Sequence, residues 1–202
     1  MADTARRLAA RSTHFGLSLP SSLADKLVVF YDLLERWNRK INLTSLVKPD
    51  EAIDRLLLEP IAAAAELPQA PRMMDLGSGG GSPAIPLALS LGSPLLVLVE
   101  SRARKAAFLR EAARELGLTA MVENTRFEEL GYVDAIELVS IRAVRTDEAT
   151  LTLAGRFLKP GGTLALFRTA GAEPPDRVPG SLEWRKGVPL LHRAQLQLLD
   201  RV

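Results

Sequence analysis

No cysteine occurs in this chain of 202 residues. That absence excludes disulfides, thiolate zinc sites and any nucleophile built on a thiol. Histidine is almost as scarce. His14 and His192 are the only two, and both read as surface or structural residues. No apolar run approaches the ~20 residues of a membrane-spanning helix, since the alanine-rich stretch from Ala62 is interrupted by Glu66 and Pro68. The opening Met1-Ala2-Asp3-Thr4-Ala5-Arg6-Arg7 lacks the apolar core of a signal peptide, so a cytoplasmic location without membrane association is expected. A strong charge of either sign is missing too. The formal net charge is +2 and the sequence pI about 9.1, which permits a nucleic-acid partner only through a local patch. What the chain does have is apolar material, 47% of its residues. That is enough for one large α/β unit with an appendage.

The most informative segment is Asp75-Leu76-Gly77-Ser78-Gly79-Gly80-Gly81-Ser82-Pro83. An apolar run precedes it and another follows, the pattern of strand, glycine loop and helix. Gly77, Gly79 and Gly81 let backbone pass close to a ligand in conformations that a Cβ forbids. The helix beyond aims free N–H groups at the same spot. Asp75 stands at the strand's tip, two residues before the first glycine. It suits S-adenosylmethionine (SAM), whose ammonium and sulfonium favour an acidic edge. A dinucleotide site usually reads G-x-G-x-x-G to receive a pyrophosphate. Here Ser82 and Pro83 stand where that spacing wants its last glycine, which disfavours a nicotinamide oxidoreductase.

A second acid follows in order. Leu95-Leu96-Val97-Leu98-Val99 reads as a buried parallel strand, and Glu100 ends it. The separation from the loop, roughly 20–25 residues, is the one at which a doubly wound sheet sets a carboxylate on a ribose diol.

Leu23, Leu27, Phe30, Leu34 and Trp37 recur at spacings of three and four, which predicts a helix with one apolar face. Ser22 with Asp25, after Pro20, resembles a capping box at its start. A further helix is expected over 50–66, bent or broken by Pro60. From Arg72 onward strands and helices alternate, the mark of a parallel sheet. Strands are expected at 73–76, 95–100, 120–123 and 133–140. Helices are expected at 85–91, at 104–116 before the cap Gly117, and at 147–157. Lys159-Pro160-Gly161-Gly162 reads as a turn into a strand at 163–168. After a proline-rich connection, 182–186 and 194–202 should form an antiparallel pair at one end of the sheet. The expected architecture is α/β, a doubly wound, mostly parallel sheet. Residues 1–70 are expected as a helical N-terminal extension and 71–202 as one compact ligand-binding unit.

Trp37-Asn38-Arg39-Lys40-Ile41-Asn42-Leu43-Thr44 is similar to a W-N-x-x-x-N-L-T signature. The glycine segment 75–83, residues 101–109, Ser140-Ile141-Arg142-Ala143 and Leu158-Lys159-Pro160-Gly161-Gly162 follow in that family's order. Over nearly its whole length the chain resembles the glucose-inhibited division protein B family, the bacterial 16S ribosomal RNA guanine-N7 methyltransferases. The resemblance implies a class I, Rossmann-like methyltransferase fold. It also implies SAM as methyl donor and ribosomal RNA or the small ribosomal subunit as partner; a monomer is expected. Carried over position by position, it assigns Gly77, Ser82, Phe127, Glu128 and Arg142 to the cofactor site, with Phe127-Glu128 after Arg126 beside the adenine. Asp75, Gly79, Gly81 and Glu100 complete the candidate cofactor set from the loop and strand readings. No catalytic residue and no metal ligand is nominated.

The chain departs from the family at several places. Ser82 stands for an aromatic residue or leucine, and Ala84 for glycine. Leu56-Leu57-Leu58-Glu59-Pro60 replaces a His-x-x-Asp-Ser element, and Arg168-Thr169-Ala170-Gly171 a Lys-Gly. These changes keep two alternatives open. One is a SAM-dependent methyltransferase of another RNA or a small molecule. The other is a non-catalytic module that binds SAM or the ribosome.

The absences also narrow the chemistry. Methylation at pyrimidine C5 generally needs a cysteine nucleophile. Methylation of an exocyclic amine usually uses an Asn/Asp-Pro-Pro-Tyr type of segment, where this chain has Ser140-Ile141-Arg142-Ala143. Guanine N7 offers an in-plane lone pair with no proton to remove, so positioning and desolvation suffice. Arg142 lies just past the tip of the fourth strand, where open α/β sheets place ligands. It is a candidate to orient the methionine carboxylate or to touch the guanine or its phosphate; pairing with a surface acid such as Asp147 is the alternative. Arg145 and Arg168 are candidates for a phosphate-facing rim. Arg102, Arg104, Lys105, Arg110 and Arg114 form a basic helix face, solvated but able to add salt-dependent RNA affinity. Trp37 reads as a core residue, and Asn38 and Asn42 as residues that fix the turn after the helix.

Overall fold

The apolar runs become the inner strands of one seven-stranded sheet. The computed structural model describes residues 1–45, 48–92, 94–191 and 193–202. Before the sheet come α1 (Ala2–His14), α2 (Ser21–Asn38), α3 (Pro49–Ile53), a π-helical turn (Asp54–Leu58) and α4 (Glu59–Ala64). Then follow β1 (Arg72–Leu76), α5 (Ala84–Ser90), β2 (Leu95–Val99), α6 (Ala103–Leu116), β3 (Ala120–Glu123) and a 3-10 turn (Phe127–Glu129). The chain continues with β4 (Ile136–Arg142), α7 (Glu148–Phe157), β5 (Leu158–Thr169), β6 (Leu182–Pro189) and β7 (Ala194–Arg201).

Strand order is β3-β2-β1-β4-β5-β7-β6. The first five strands are parallel to their neighbours, while β7 runs antiparallel to both β5 and β6. The order reverses between β1 and β4, which opens a crevice beyond their carboxyl ends. Successive residues of β1 explain why its sequence shows no alternation. Met73 faces a cluster with Phe30, Leu34, Phe108 and Leu109 from α2 and α6. Met74 faces a second cluster with Leu151 and Phe157 from α7. A strand buried on both faces must be apolar throughout. The N-terminal helices thus share the core of one sheet face.

Several local expectations are corrected. No capping box forms: α2 starts at Ser21 behind Pro20, with no side-chain bond to its first turn. The capping expected of Ser22 is instead visible at Asp147, which accepts from the Thr150 N–H at 3.0 Å and starts α7. The fourth strand begins at Ile136 rather than 133 and runs on to Arg142. Lys159-Pro160-Gly161-Gly162 does not separate two elements. It is a bulge within β5, since Ile136 pairs with Leu158 but Leu138 already pairs with Thr163. The long helix over 50–66 is divided by the π turn, for a reason that bears on the site.

Candidate active site

At the end of β1 the chain turns through Gly77-Ser78-Gly79-Gly80-Gly81. The N–H groups of Gly77 and Ser78 both donate to the Val99 carbonyl, at 3.0 and 2.9 Å, and tie the loop to the end of β2. Gly77, Gly79 and Gly81 have φ of +76°, +51° and +80°, a region that L side chains rarely adopt. The three glycines serve different ends. A Cβ at Gly77 would lie 2.5 Å from Val144 Cγ2, and one at Gly81 would lie 2.7 Å from Ile85 Cδ1. Those two positions allow close packing. A Cβ at Gly79 would meet nothing nearer than the Gly77 carbonyl, 3.7 Å away. Gly79 therefore borders open space.

That space is a cavity of about 330 Å³, bounded by the loop together with Leu34, Leu43, Thr44, Glu100 and Arg142. Glu100 is buried. Its Oε2 accepts from the Gly79 N–H at 2.9 Å and its Oε1 from the Arg102 N–H at 2.8 Å. Each carboxylate oxygen keeps a free lone pair, so hydroxyl donors can still be received. Asp75 is different. It is 1% exposed and does not line the cavity; its Oδ1 accepts from Ser140 Oγ at 2.5 Å. Burial pushes this carboxyl up to about 6, against the hydrogen bonds from Ser140 and Ser78 and the nearby Arg142 charge. Asp75 therefore sits beneath the loop and links β1 to β4, while Glu100 supplies the acidic edge.

Arg142 is not a surface residue paired with Asp147. Its side chain is 16% exposed, and Nη2 donates to Glu59 Oε1 at 2.5 Å. Nη1 donates to the Arg55 carbonyl at 2.8 Å and to Ser82 Oγ at 3.2 Å. The guanidinium also lies over the Phe167 ring, 4.7 Å from its centroid. Burial pulls Arg142 below its ordinary pKa, and the Glu59 carboxylate opposes that. Asp147 pairs instead with Arg145, at 3.3 Å.

Pro60 explains why these partners are available. Proline has no N–H, so residue 60 cannot return a bond to Leu56 in an α-helix or to Arg55 in a π-helix. Both carbonyls are satisfied from the site: Arg142 donates to Arg55, and Ser82 Oγ donates to Leu56 at 2.8 Å. Ser82, Glu59 and Pro60 thus fit one another.

Phe127 and Glu128 are not brought to the cavity wall. They lie on the 3-10 turn after β3, with Phe127 half-buried against the α7 side of the sheet and Glu128 exposed. Trp37 packs edge-on against Phe108 at 5.9 Å and donates to Glu111 at 3.2 Å, a core residue with a satisfied indole. Asn38 Oδ1 accepts from the Leu43 and Thr44 N–H groups at 2.8 and 3.0 Å. That turn does more than close the helix. It lays the Leu43 carbonyl where a Cβ on Gly80 would come within 3.2 Å, so the segment roofs the glycine loop. Leu43 and Thr44 belong to the site, and the 37–44 signature is the signal that marks them. His14 is exposed; His192 lies outside the described residues. Among the described residues no group of His, Cys, Asp or Glu could hold a metal ion.

A glycine loop at the switch point of a 3-2-1-4-5-7-6 sheet, with an acid ending the second strand, defines the class I, Rossmann-like fold of SAM-dependent methyltransferases. Solved structures share the fold. A SAM-dependent methyltransferase from Aquifex aeolicus aligns with a TM-score of 0.62 at 14% identity, covering 76% of this chain and 94% of that one. M. jannaschii TYW2 in complex with AdoMet aligns with a TM-score of 0.57 at 15% identity, covering 78% and 80%. The family model for rRNA small subunit methyltransferase G matches residues 23–174. The Ribosomal RNA small subunit methyltransferase G of Xylella fastidiosa (strain M23) is 38% identical over 184 residues, 91% of this chain and 85% of that protein. That of Rhodospirillum centenum is 42% identical over 163 residues, 79% and 73%. The chain belongs to the rRNA small subunit methyltransferase G family.

Proposed function

We propose that this protein transfers a methyl group from SAM to N7 of a guanine in small-subunit (16S) ribosomal RNA, as a cytoplasmic monomer. The carrying observation is the open space at Gly79 beside the buried Glu100. A backbone glycine with no neighbour where its Cβ would point, facing a carboxylate, fits a nucleoside-sized ligand. Glu100 would accept from the ribose hydroxyls, and the loop backbone at Gly77 and Gly79 would pass along the ligand. Arg142 would hold the methionine carboxylate. The bound sulfonium supplies an activated methyl; the protein positions, orients and excludes water. Asp75 and Gly81 support the loop from beneath. Ser82 holds the π turn. Phe127 and Glu128 do not line the cavity, so they would reach an adenine only where it extends past the end of β3. Residues 1–70 act as a helical cover on the 71–202 methyltransferase unit.

No helix of the described residues is long and apolar enough to cross a membrane. The cavity meets a second one, of about 490 Å³, at Arg142 and Ala143, which supports the reading because an acceptor base there would lie next to the donor. Incubation with labelled SAM and under-methylated small subunits, followed by mapping of modified bases, tests the reading. Label at guanine N7 supports it. Label that never enters RNA refutes it.

A further inference from the structure

The second cavity does not end above the sheet. Its wall shares Arg55, Glu59 and Thr169 with a third cavity of about 450 Å³, so the two form a continuous trough over the carboxyl ends of β4 and β5. Five arginines line the trough against three carboxylates, Glu51, Glu59 and Asp147. Two of those carboxylates are already engaged. Glu59 takes the Arg142 guanidinium, and Asp147 caps α7 and pairs with Arg145.

The remaining four arginines come from four separate places in the chain, yet converge here. Arg55 is on the π turn and exposed, and Arg193 precedes β7 and is exposed. Neither has a carboxylate in ion-pair range among the described residues. Arg145 keeps its side chain 88% exposed despite its pair with Asp147. Arg168, at the tip of β5, donates to Thr146 Oγ1 at 2.6 Å, which fixes its direction without neutralising it. On the basic face of α6 only Arg114 is paired with a carboxylate among the described residues, Glu115, but that face borders the candidate cofactor cavity rather than the trough, through Arg102 and Lys105.

We propose that this trough is the path of the single RNA strand on either side of the methylated base, with its phosphates on Arg55, Arg145, Arg168 and Arg193. The inference rests on the methyl-transfer reading for its partner. Its own content is which face the strand crosses. Phosphate contacts of this kind set register and orientation without reading sequence. A cleft of one sign also raises the local concentration of a polyanion.

The test uses the full chain with Arg55 and Arg193 both changed to Ala, and a second variant with both changed to Lys. Three readouts are taken: binding of a fluorescent single-stranded RNA oligonucleotide across a salt series, SAM affinity by calorimetry, and methyl transfer to under-methylated small subunits. The expected result for the Ala pair is at least tenfold weaker RNA binding at low salt and unchanged SAM affinity. The slope of log affinity against log salt should be shallower by about 0.7 per lost phosphate contact. The Lys pair should recover most of the slope. Unchanged RNA affinity and slope in the Ala pair overturn the trough. Wild-type protein that binds RNA through these arginines but labels none overturns the methyl-transfer reading alone.

Discussion

Arg142 and Glu59 lie 83 positions apart in sequence and form a charge-assisted hydrogen bond of 2.5 Å inside the protein. The pair joins the tip of β4 to the start of α4, directly behind the candidate ligand cavity. Breaking such a pair leaves a desolvated charge without its partner.

Glu59→Leu is therefore expected to destabilise by about 3–5 kcal/mol, more than Glu59→Gln, which keeps an acceptor oxygen in place. Arg142→Ala should lower methyl transfer at least tenfold per folded molecule, and it should destabilise to a similar degree as Glu59→Leu, because it takes the guanidinium away from the buried Glu59 carboxylate. The combination Glu59→Leu with Arg142→Leu should recover most of the stability and none of the activity. Denaturant midpoints and single-turnover rates on the four proteins decide this; equal stability loss in Glu59→Leu and Glu59→Gln would remove the pair's role.

The glycines of the loop should respond differently to substitution. Gly81→Ala drives a Cβ to 2.7 Å from Ile85 and 3.3 Å from Leu109 and Phe30, so its main cost falls on stability. Gly79→Val places its side chain in open space and should abolish SAM binding. Its stability cost comes from the positive φ, which a β-branched residue resists, about 1–3 kcal/mol. Calorimetric titration with SAM and denaturant midpoints separate the two, and SAM binding retained by Gly79→Val contradicts the assignment of the cavity.

Ser82→Ala leaves the Leu56 carbonyl without the hydroxyl that now serves it, at a cost of about 1–3 kcal/mol. In a Pro60→Ala background residue 60 regains an N–H, and the same substitution should cost much less. A double-mutant cycle on thermal or denaturant unfolding measures the difference. Additive effects would show that proline and serine are unrelated.

Asp75 has a folded-state pKa of about 6, above the ordinary carboxylate value of 3.8, and burial is the main cause. The folded protein therefore holds this proton more tightly than the unfolded chain. The associated stabilisation is complete below about pH 4 and is lost as pH rises through 6. Asp75→Asn keeps an acceptor for Ser140 and carries no charge. It should gain stability relative to wild type at pH 7.5, and that gain should shrink at pH 4.5. A constant difference across that range would mean that the carboxyl is not desolvated.

The sheet was legible because a parallel strand covered on both faces shows an unbroken apolar run, as 95–99 does. The boundaries were less so. Pro160-Gly161-Gly162 has turn chemistry, and only the pairing of Leu138 with Thr163 reveals that the extra residues bulge inside a strand. The π turn has the same apolar spacing as an α-helix, so Pro60 announced a disturbance without its form. At the site, Glu100 and Asp75 look alike in sequence, each an acid at the carboxyl end of a strand. Which one meets the ligand depends on register. Asp75 pairs directly with Ser140 of β4, which draws its carboxyl into the sheet. Arg142 is legible in the sequence but its partner is not, because Asp147 is five residues away and Glu59 reaches it only through the fold.

Late in the sheet, β7 follows β6 in sequence yet lies inside it, bonded to β5 on one side and β6 on the other. Until β7 arrives, β5 offers seven residues of bare backbone, 163–169, to any passing extended chain. A ribosome that stalls before residue 194 would therefore release a chain with a sticky flank. Tags or fusions appended beyond β7 load the very strand that seals it.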